Sequence, residues 1–213
     1  MSDITLHNNN YYFSAFYAET LGDAWLKSMQ HVLCNGQVVN DGEDRLLEAL
    51  NMNITISTID ENDAVIIRYA SKERIELMKR KHISCDIINN YKVSYGKLIY
   101  NNNGINQIEW LINRLRNNPD SKSATITLHI PGQEYLSCLS LLDYKIRDNR
   151  LNSTAIYRSQ NIFASQPGNI IALRDLQISI AHSLEREIGD FKLTIISGHI
   201  YDPHSPYQIT NPV

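Results

Sequence analysis

The chain has 213 residues and a mass of 24.4 kDa, with 43% hydrophobic and 20% charged residues, which predicts a single domain over residues 1–213 and leaves little room for a second. Twenty Lys and Arg against 23 Asp and Glu give a net charge of −3, which argues against a nucleic-acid partner held by bulk positive charge. No apolar run reaches the roughly 18 to 20 residues of a membrane span, the start Met1-Ser2-Asp3-Ile4 has no secretory pattern, and Cys34, Cys85 and Cys138 are too scattered for a disulfide framework or a zinc set; a soluble, cytoplasmic chain with reduced thiols, no metal and no membrane partner is expected.

Residues 1–10, ending in Asn8-Asn9-Asn10, read as a flexible arm. Tyr17, Leu21, Trp25, Met29 and Leu33 recur at steps of four and predict one helix over residues 11–36, stopped by Gly36. Residues 40–44 read as a polar loop, and residues 53–57 alternate as a half-buried strand does. Residues 72–81 are basic with a helical pattern, and Lys79-Arg80-Lys81 reads as a solvated helix end. Asn101-Asn102-Asn103-Gly104 predicts a turn. Ile105, Ile108, Leu111, Ile112 and Leu115 then mark an amphipathic helix that Asn118-Pro119 ends. Strands follow over residues 125–130 and 136–146, the second turning at 147–149 into a partner over 151–157. Residues 169–188 predict a long amphipathic helix opened by Pro167-Gly168-Asn169 and stopped by Gly189-Asp190, and residues 192–200 a last strand. The mixture indicates an α/β or α+β layered domain.

Four features of the second half carry chemistry: Cys138, Arg158-Ser159, Asn169 and His199-Ile200-Tyr201. Singly, each has an ordinary structural explanation. A lone strand cysteine is most often a small buried hydrophobe, and an Asn after Pro-Gly is most often a helix cap. Taken in order, Tyr157-Arg158-Ser159-Gln160-Asn161, Pro167-Gly168-Asn169, Ile180-Ala181-His182, Gly189-Asp190-Phe191 and His199-Ile200-Tyr201 resemble the thymidylate synthase family. In that family a nucleophilic Cys stands twenty residues before the Arg of an Arg-Ser motif, and the His of a His-x-Tyr motif forty-one residues after it; Cys138, Arg158 and His199 keep both intervals. Tyr95-Gly96-Lys97 and Asn117-Asn118-Pro119-Asp120-Ser121 extend the resemblance over residues 95–204, with a fainter match at 25–41.

The resemblance implies a twisted sheet packed against long helices, and a homodimer that pairs sheet to sheet. It implies a folate-dependent C5 methyl- or hydroxymethyltransferase acting on a pyrimidine nucleoside 5′-monophosphate, dUMP first, with 5,10-methylenetetrahydrofolate as cofactor. Cys138 matches the nucleophile that adds to C6. Arg158 matches the cation that favours its thiolate and, with Ser159, binds the 5′-phosphate. Tyr95 matches the group placed for proton removal from C5. Asn169 matches the residue that reads the base and leans towards uracil, because a carboxamide donates to O4 and accepts from N3–H. His199 and Tyr201 match the pair that bonds the sugar hydroxyl. Lys122 and Ser123 stand where the family has two phosphate arginines supplied by the partner subunit, which implies an obligate homodimer. Arg45 is the candidate for a further phosphate contact, whereas Arg114 and Arg116 read as a solvated helix face.

The departures are specific. Asn161 replaces the family's cofactor-binding Asp, and Leu139 and Asp143 replace a His and a Gln. The sequence ends twelve residues after Tyr201, where the family has further strands and a closing tail. A site without that cover admits water in place of hydride, so a hydroxymethyl product is expected beside a methyl one. The alternatives are a CMP or dCMP hydroxymethylase of modified-nucleotide or nucleoside-antibiotic metabolism, and a non-catalytic nucleotide-binding homologue. Cys34 and Cys85 read as buried or inert thiols, and His129, His182 and His204 have no ligand spacing.

Overall fold

A computed structural model describes residues 11–88 and 92–204, so the arm expected at residues 1–10 lies outside the described residues. β1 (Ser14–Thr20) runs directly into α1 (Leu21–Asn35), and β2 (Gln37–Asp41) turns back into β3 (Asp44–Thr58). Four helices follow, α2 (Ala64–Tyr69), α3 (Lys72–Ile83), α4 (Tyr95–Tyr100) and α5 (Gln107–Asn117). The second half is β4 (Thr125–Thr127), β5 (Leu139–Arg147), β6 (Arg150–Asn161), α6 (Ile162–Ser183) and β7 (Glu187–Tyr201). The strands form one mixed sheet in the order β1-β3-β7-β6-β5-β4, with β2 on the first half of β3. The pairs β1–β3 and β6–β7 are parallel and the others antiparallel. This is the mixed α/β architecture that the residue pattern indicates.

Alternation gives the sheet two unlike faces. Met52, Ile54, Ala155, Tyr157, Phe191, Leu193 and Ile195 are buried and belong to the same core as Trp25 of α1 and Ile170 and Leu173 of α6. Their neighbours Asn53, Thr55, Thr154, Ile156, Lys192, Thr194 and Ile196 lie on the other face and are only partly covered or exposed. No helix among the described residues is long and apolar enough to cross a membrane.

Several boundaries differ from the sequence pattern, each for a local reason. The helix predicted over 11–36 is a strand followed by a helix. Thr20 caps α1 by accepting the Asp23 N–H at 3.2 Å, and the buried stripe runs through Leu21, Ala24, Trp25, Ser28 and Val32 while Tyr17 and Leu33 are exposed. The polar loop at 40–44 is a hairpin tip: Asp41 pairs with Asp44, and Gly42 takes φ 63°. The strand at 53–57 extends to the whole of β3, and the one at 125–130 shortens to β4. The turn after β5 carries φ 51° at Asp148 and φ 61° at Asn149, the left-handed pair that a tight hairpin needs. The long helix starts at Ile162, so Pro167-Gly168-Asn169 lies inside α6 and does not open it. Nor is α6 amphipathic as expected: Ile170, Ile171, Ala172, Leu173, Leu176 and Ile180 are buried around much of its girth, as in a helix with partners on several sides.

Candidate active site

Cys138 stands immediately before β5, on a short segment tied to β6. Its carbonyl accepts the Arg158 N–H at 2.9 Å. The Arg158 guanidinium donates from Nε to the Ser137 carbonyl at 3.0 Å and from Nη2 to the Leu136 carbonyl at 2.8 Å. His129 Nε2 lies 3.0 Å from the same Ser137 carbonyl, which requires the proton on that nitrogen. Arg158 therefore clamps the chain that carries the thiol.

Two helices bring further groups to Cys138. Gly96 lets α4 abut the end of α3: a Cβ there would stand 2.3 Å from the Ser84 carbonyl oxygen. The adjacent Tyr95 is thereby buried beside α3, and it interacts with the Cys138 thiol and the Leu139 N–H. Burial first, then Cys138 and Tyr157, push the Tyr95 hydroxyl well above the usual range, against the pull of the Leu139 N–H. Tyr157 is pushed up by burial and then by Cys138, and its hydroxyl has no hydrogen-bond partner among the described residues. Both tyrosines are neutral phenols at neutral pH.

The Lys79-Arg80-Lys81 run is not a uniformly solvated helix end. Lys79 pairs with Glu61 at 3.0 Å and Arg80 is exposed, but Lys81 is buried with Nζ 4.2 Å from the Tyr95 ring centre. The reason is helical phase, since Arg74, Leu77, Met78, Lys81 and His82 share the buried side of α3. Burial lowers Lys81 to about 8; Cys138 acts against that fall and Arg74 adds to it. His82, edge-on to Tyr95 at 5.0 Å, is lowered to about 4 by burial, with the Met78 carbonyl opposing and Lys81 assisting.

On the other side of Arg158, β6 and β7 run parallel, with Asn161 opposite His199. Ser159 Oγ lies 3.5 Å from His199 Nδ1, and Tyr201 stands edge-on to the His199 ring at 5.0 Å. Burial lowers His199 to about 4, resisted by the Ser197 backbone, Glu48 and Asp41 and reinforced by Arg158. Arg45 sits at this end of the sheet, its carbonyl accepting the Asp202 N–H at 2.9 Å. Asn169 is buried in α6 and its Oδ1 has no hydrogen-bond partner among the described residues. It follows Gly168, where a Cβ would stand 2.8 Å from Met78 Cβ and 2.9 Å from Ile75 Cα of α3. Asn161 caps α6, with Oδ1 accepting the Ala164 N–H at 3.0 Å.

The structure thus gathers Cys138, Tyr95, Arg158, Ser159, His199 and Tyr201 around one end of β5, β6 and β7. Lys122 and Ser123 are not brought to Cys138 within the chain. They precede Ala124, whose carbonyl accepts the Tyr144 N–H, so they lie towards the far end of β5. Asp143 is engaged by Lys145 and by the Thr125 hydroxyl, both at 2.5 Å, and Leu139 is core. Arg116 donates to the Ser183 carbonyl at 2.8 Å, and Arg114 lies over the Trp110 ring at 5.1 Å. A cleft of about 400 Å³ flanks the site, lined by Lys92, Ser94, Lys97, Gln133 and Tyr135 among others. Lys81 and Arg74 lie outside the motifs, and Tyr157 stands in one without a role assigned to it. The signal for the first two was available: they stand three and four residues either side of Leu77-Met78, the apolar stripe of α3.

A family model described as thymidylate synthase matches residues 67–210. A Methanosarcina mazei protein named "putative thymidylate synthase" is 28% identical over 191 residues, covering 87% of this chain and 88% of its own. A Methanosarcina barkeri protein of the same name is 29% identical over 192 residues, with 87% and 88% covered. One from Methanothermobacter thermautotrophicus is 28% identical over 202 residues, with 85% and 90% covered.

Proposed function

The chain belongs to the thymidylate synthase family and is a thymidylate synthase-like transferase, and from that premise we propose that it transfers a one-carbon unit to C5 of a pyrimidine nucleoside 5′-monophosphate, dUMP first. The observation that carries this reading is the convergence on Cys138 of Tyr95, Lys81 and the Arg158 clamp. The Cys138 thiolate adds to C6, the displaced electron pair makes C5 nucleophilic, C5 takes up the one-carbon unit at the oxidation level of formaldehyde and loses its proton, and addition of a hydride (methyl product) or of water (hydroxymethyl product) to that carbon accompanies elimination of the thiolate. Tyr95 lies where it can relay the C5 proton. Ser159, His199 and Tyr201 bind phosphate and sugar. The unpartnered Asn169 Oδ1 is a buried acceptor that the N3–H of uracil would satisfy. It would equally accept from the exocyclic amine of cytosine, which supports CMP or dCMP as the second substrate to try.

In this family 5,10-methylenetetrahydrofolate supplies the one-carbon unit. Asn161, which caps α6 through one Oδ1 lone pair, would offer its second lone pair and its amide hydrogens to that group. The continuous core supports one domain. The partly uncovered sheet face, together with Lys122 and Ser123 far from the thiol of their own chain, supports a homodimer that shares the phosphate site.

The test is tritium release from [5-³H]dUMP and [5-³H]CMP, with and without methylenetetrahydrofolate. Release from dUMP, lost in Cys138→Ala while nucleotide binding persists, is the expected result. Release from CMP alone would move the substrate to cytosine, and release from neither, with nucleotide still bound, would leave a binding homologue. Product mass separates methyl from hydroxymethyl.

A further inference from the structure

We infer that Glu48 of β3 reads the sugar of the nucleotide and admits a ribose, so that a pyrimidine ribonucleotide is bound at least as well as its 2′-deoxy counterpart. This rests on the reading of His199 and Tyr201 as the sugar pair and names the sugar that the pair receives. Across the β3–β7 ladder Glu48 stands opposite His199, Leu46 opposite Tyr201 and Leu50 opposite Ser197. Residues opposite each other hold their Cβ atoms roughly 5 Å apart on one face, and alternation puts Ser197, His199 and Tyr201 on that same face. The Ser197 hydroxyl donates to Glu48 Oε1 at 2.5 Å, which fixes the carboxylate on the side of the sheet that carries His199. One strand further, Ser159 is level with Ser197, and its Oγ lies 3.5 Å from His199 Nδ1. Glu48, Ser197, His199 and Ser159 therefore make one polar patch across β3, β7 and β6.

The carboxylate keeps capacity for a ligand. The Tyr11 hydroxyl donates to Oε2 at 3.1 Å and the Ser197 hydroxyl to Oε1, whereas a carboxylate accepts about four hydrogen bonds. Glu48 is only partly buried, and it takes part in no ion pair among the described residues. The hydroxyls of Ser159, Ser197 and Tyr201 each donate or accept, but a carboxylate only accepts, so Glu48 sets the direction of any sugar hydroxyl that meets it. A 2′-deoxyribose presents one hydroxyl here, at C3′, which His199 and Tyr201 bond. A ribose adds a second on the neighbouring carbon, and a carboxylate beside the first is the acceptor that matches such a diol.

The experiment is calorimetric titration of the protein with UMP, dUMP, CMP and dCMP, with no cofactor present. Whichever base binds, the ribonucleotide should bind at least as tightly as the deoxyribonucleotide. Glu48→Gln, which keeps the shape and gives up the charge, should weaken the ribonucleotide by about tenfold, the loss of one charge-assisted hydrogen bond, and leave the deoxyribonucleotide within about twofold. Glu48→Ala should act in the same direction, and the Gln variant carries the test if the Ala variant fails to fold by circular dichroism. Tyr11→Phe, which removes the donor on Oε2, should leave the ratio between the two sugars unchanged. A parent protein that prefers the deoxyribonucleotide, a Glu48→Gln variant that weakens both sugars equally, or a protein that binds none of the four overturns the inference; equal weakening makes Glu48 a brace between β3 and β7. A Glu48-dependent ribose preference in a protein that releases no tritium leaves the inference standing and removes the transfer reaction. Tritium release without that preference does the reverse.

Discussion

His82 and His199 make the clearest statement at the scale of single residues. Both are buried, and both are lowered from 6.5 to about 4 chiefly because burial disfavours the imidazolium. The folded state therefore prefers the neutral ring. The stability this represents is complete above the unfolded value near 6.5 and is lost as pH falls towards 4, at up to about 3 kcal/mol for each ring. Unfolding free energy from urea titrations should fall steeply between pH 6.5 and 4; a flat profile across that window would contradict the assignment. At this scale the sequence was most legible where spacing alone carries meaning. Arg158 and His199 sit on strands, and Cys138 just before one, whose register turns fixed intervals into proximity. Lys81 was hidden in a run of three basic residues, and only its spacing from Leu77 and Met78 tells which of them the helix turns inward. Asn161 was read as a ligand, and it also caps α6, because an N-cap and a binding amide are the same residue type in sequence.

At the scale of elements, the contact between α3 and α6 governs the site. Gly168 is small because α3 passes directly over it. Gly168→Ala should cost about 1 to 3 kcal/mol, seen as a lower thermal midpoint. It should also reduce activity more than a distant substitution of equal cost, since the displaced helix is the one that carries Lys81. Activity tracking the lost stability alone would count against that coupling. Pro167-Gly168 looked like punctuation because those residues usually end or open helices. Here Pro167 gives up its own N–H inside α6, and Gly168 serves close approach with no turn. Likewise β1 and α1 together mimic one helix because Tyr17 happens to fall four residues before Leu21, and nothing in that spacing reveals that Tyr17 is exposed on a strand.

For the whole molecule, the fold class was readable from the mixture of strands and helices, but the strand order was not, because pairing between distant segments leaves no local trace. The uncovered sheet face includes Ile156, Thr194 and Ile196, with Ile196 exposed. If a second copy covers it, Ile196→Glu should give a monomer by sedimentation and lose tritium release with the shared phosphate site. A variant that stays dimeric and active would place the interface elsewhere. The position of β7 has a separate consequence. It is the seventh strand in the chain yet lies inside the sheet, joining β3 on one side to β6 on the other, with Leu46 opposite Tyr201. Until residues 187–201 insert, both neighbours present bare hydrogen-bonding rims. On the ribosome the two halves of the sheet must wait for this strand, so assembly is late and concerted, and the interval before it is when a growing chain is most exposed to pairing with another.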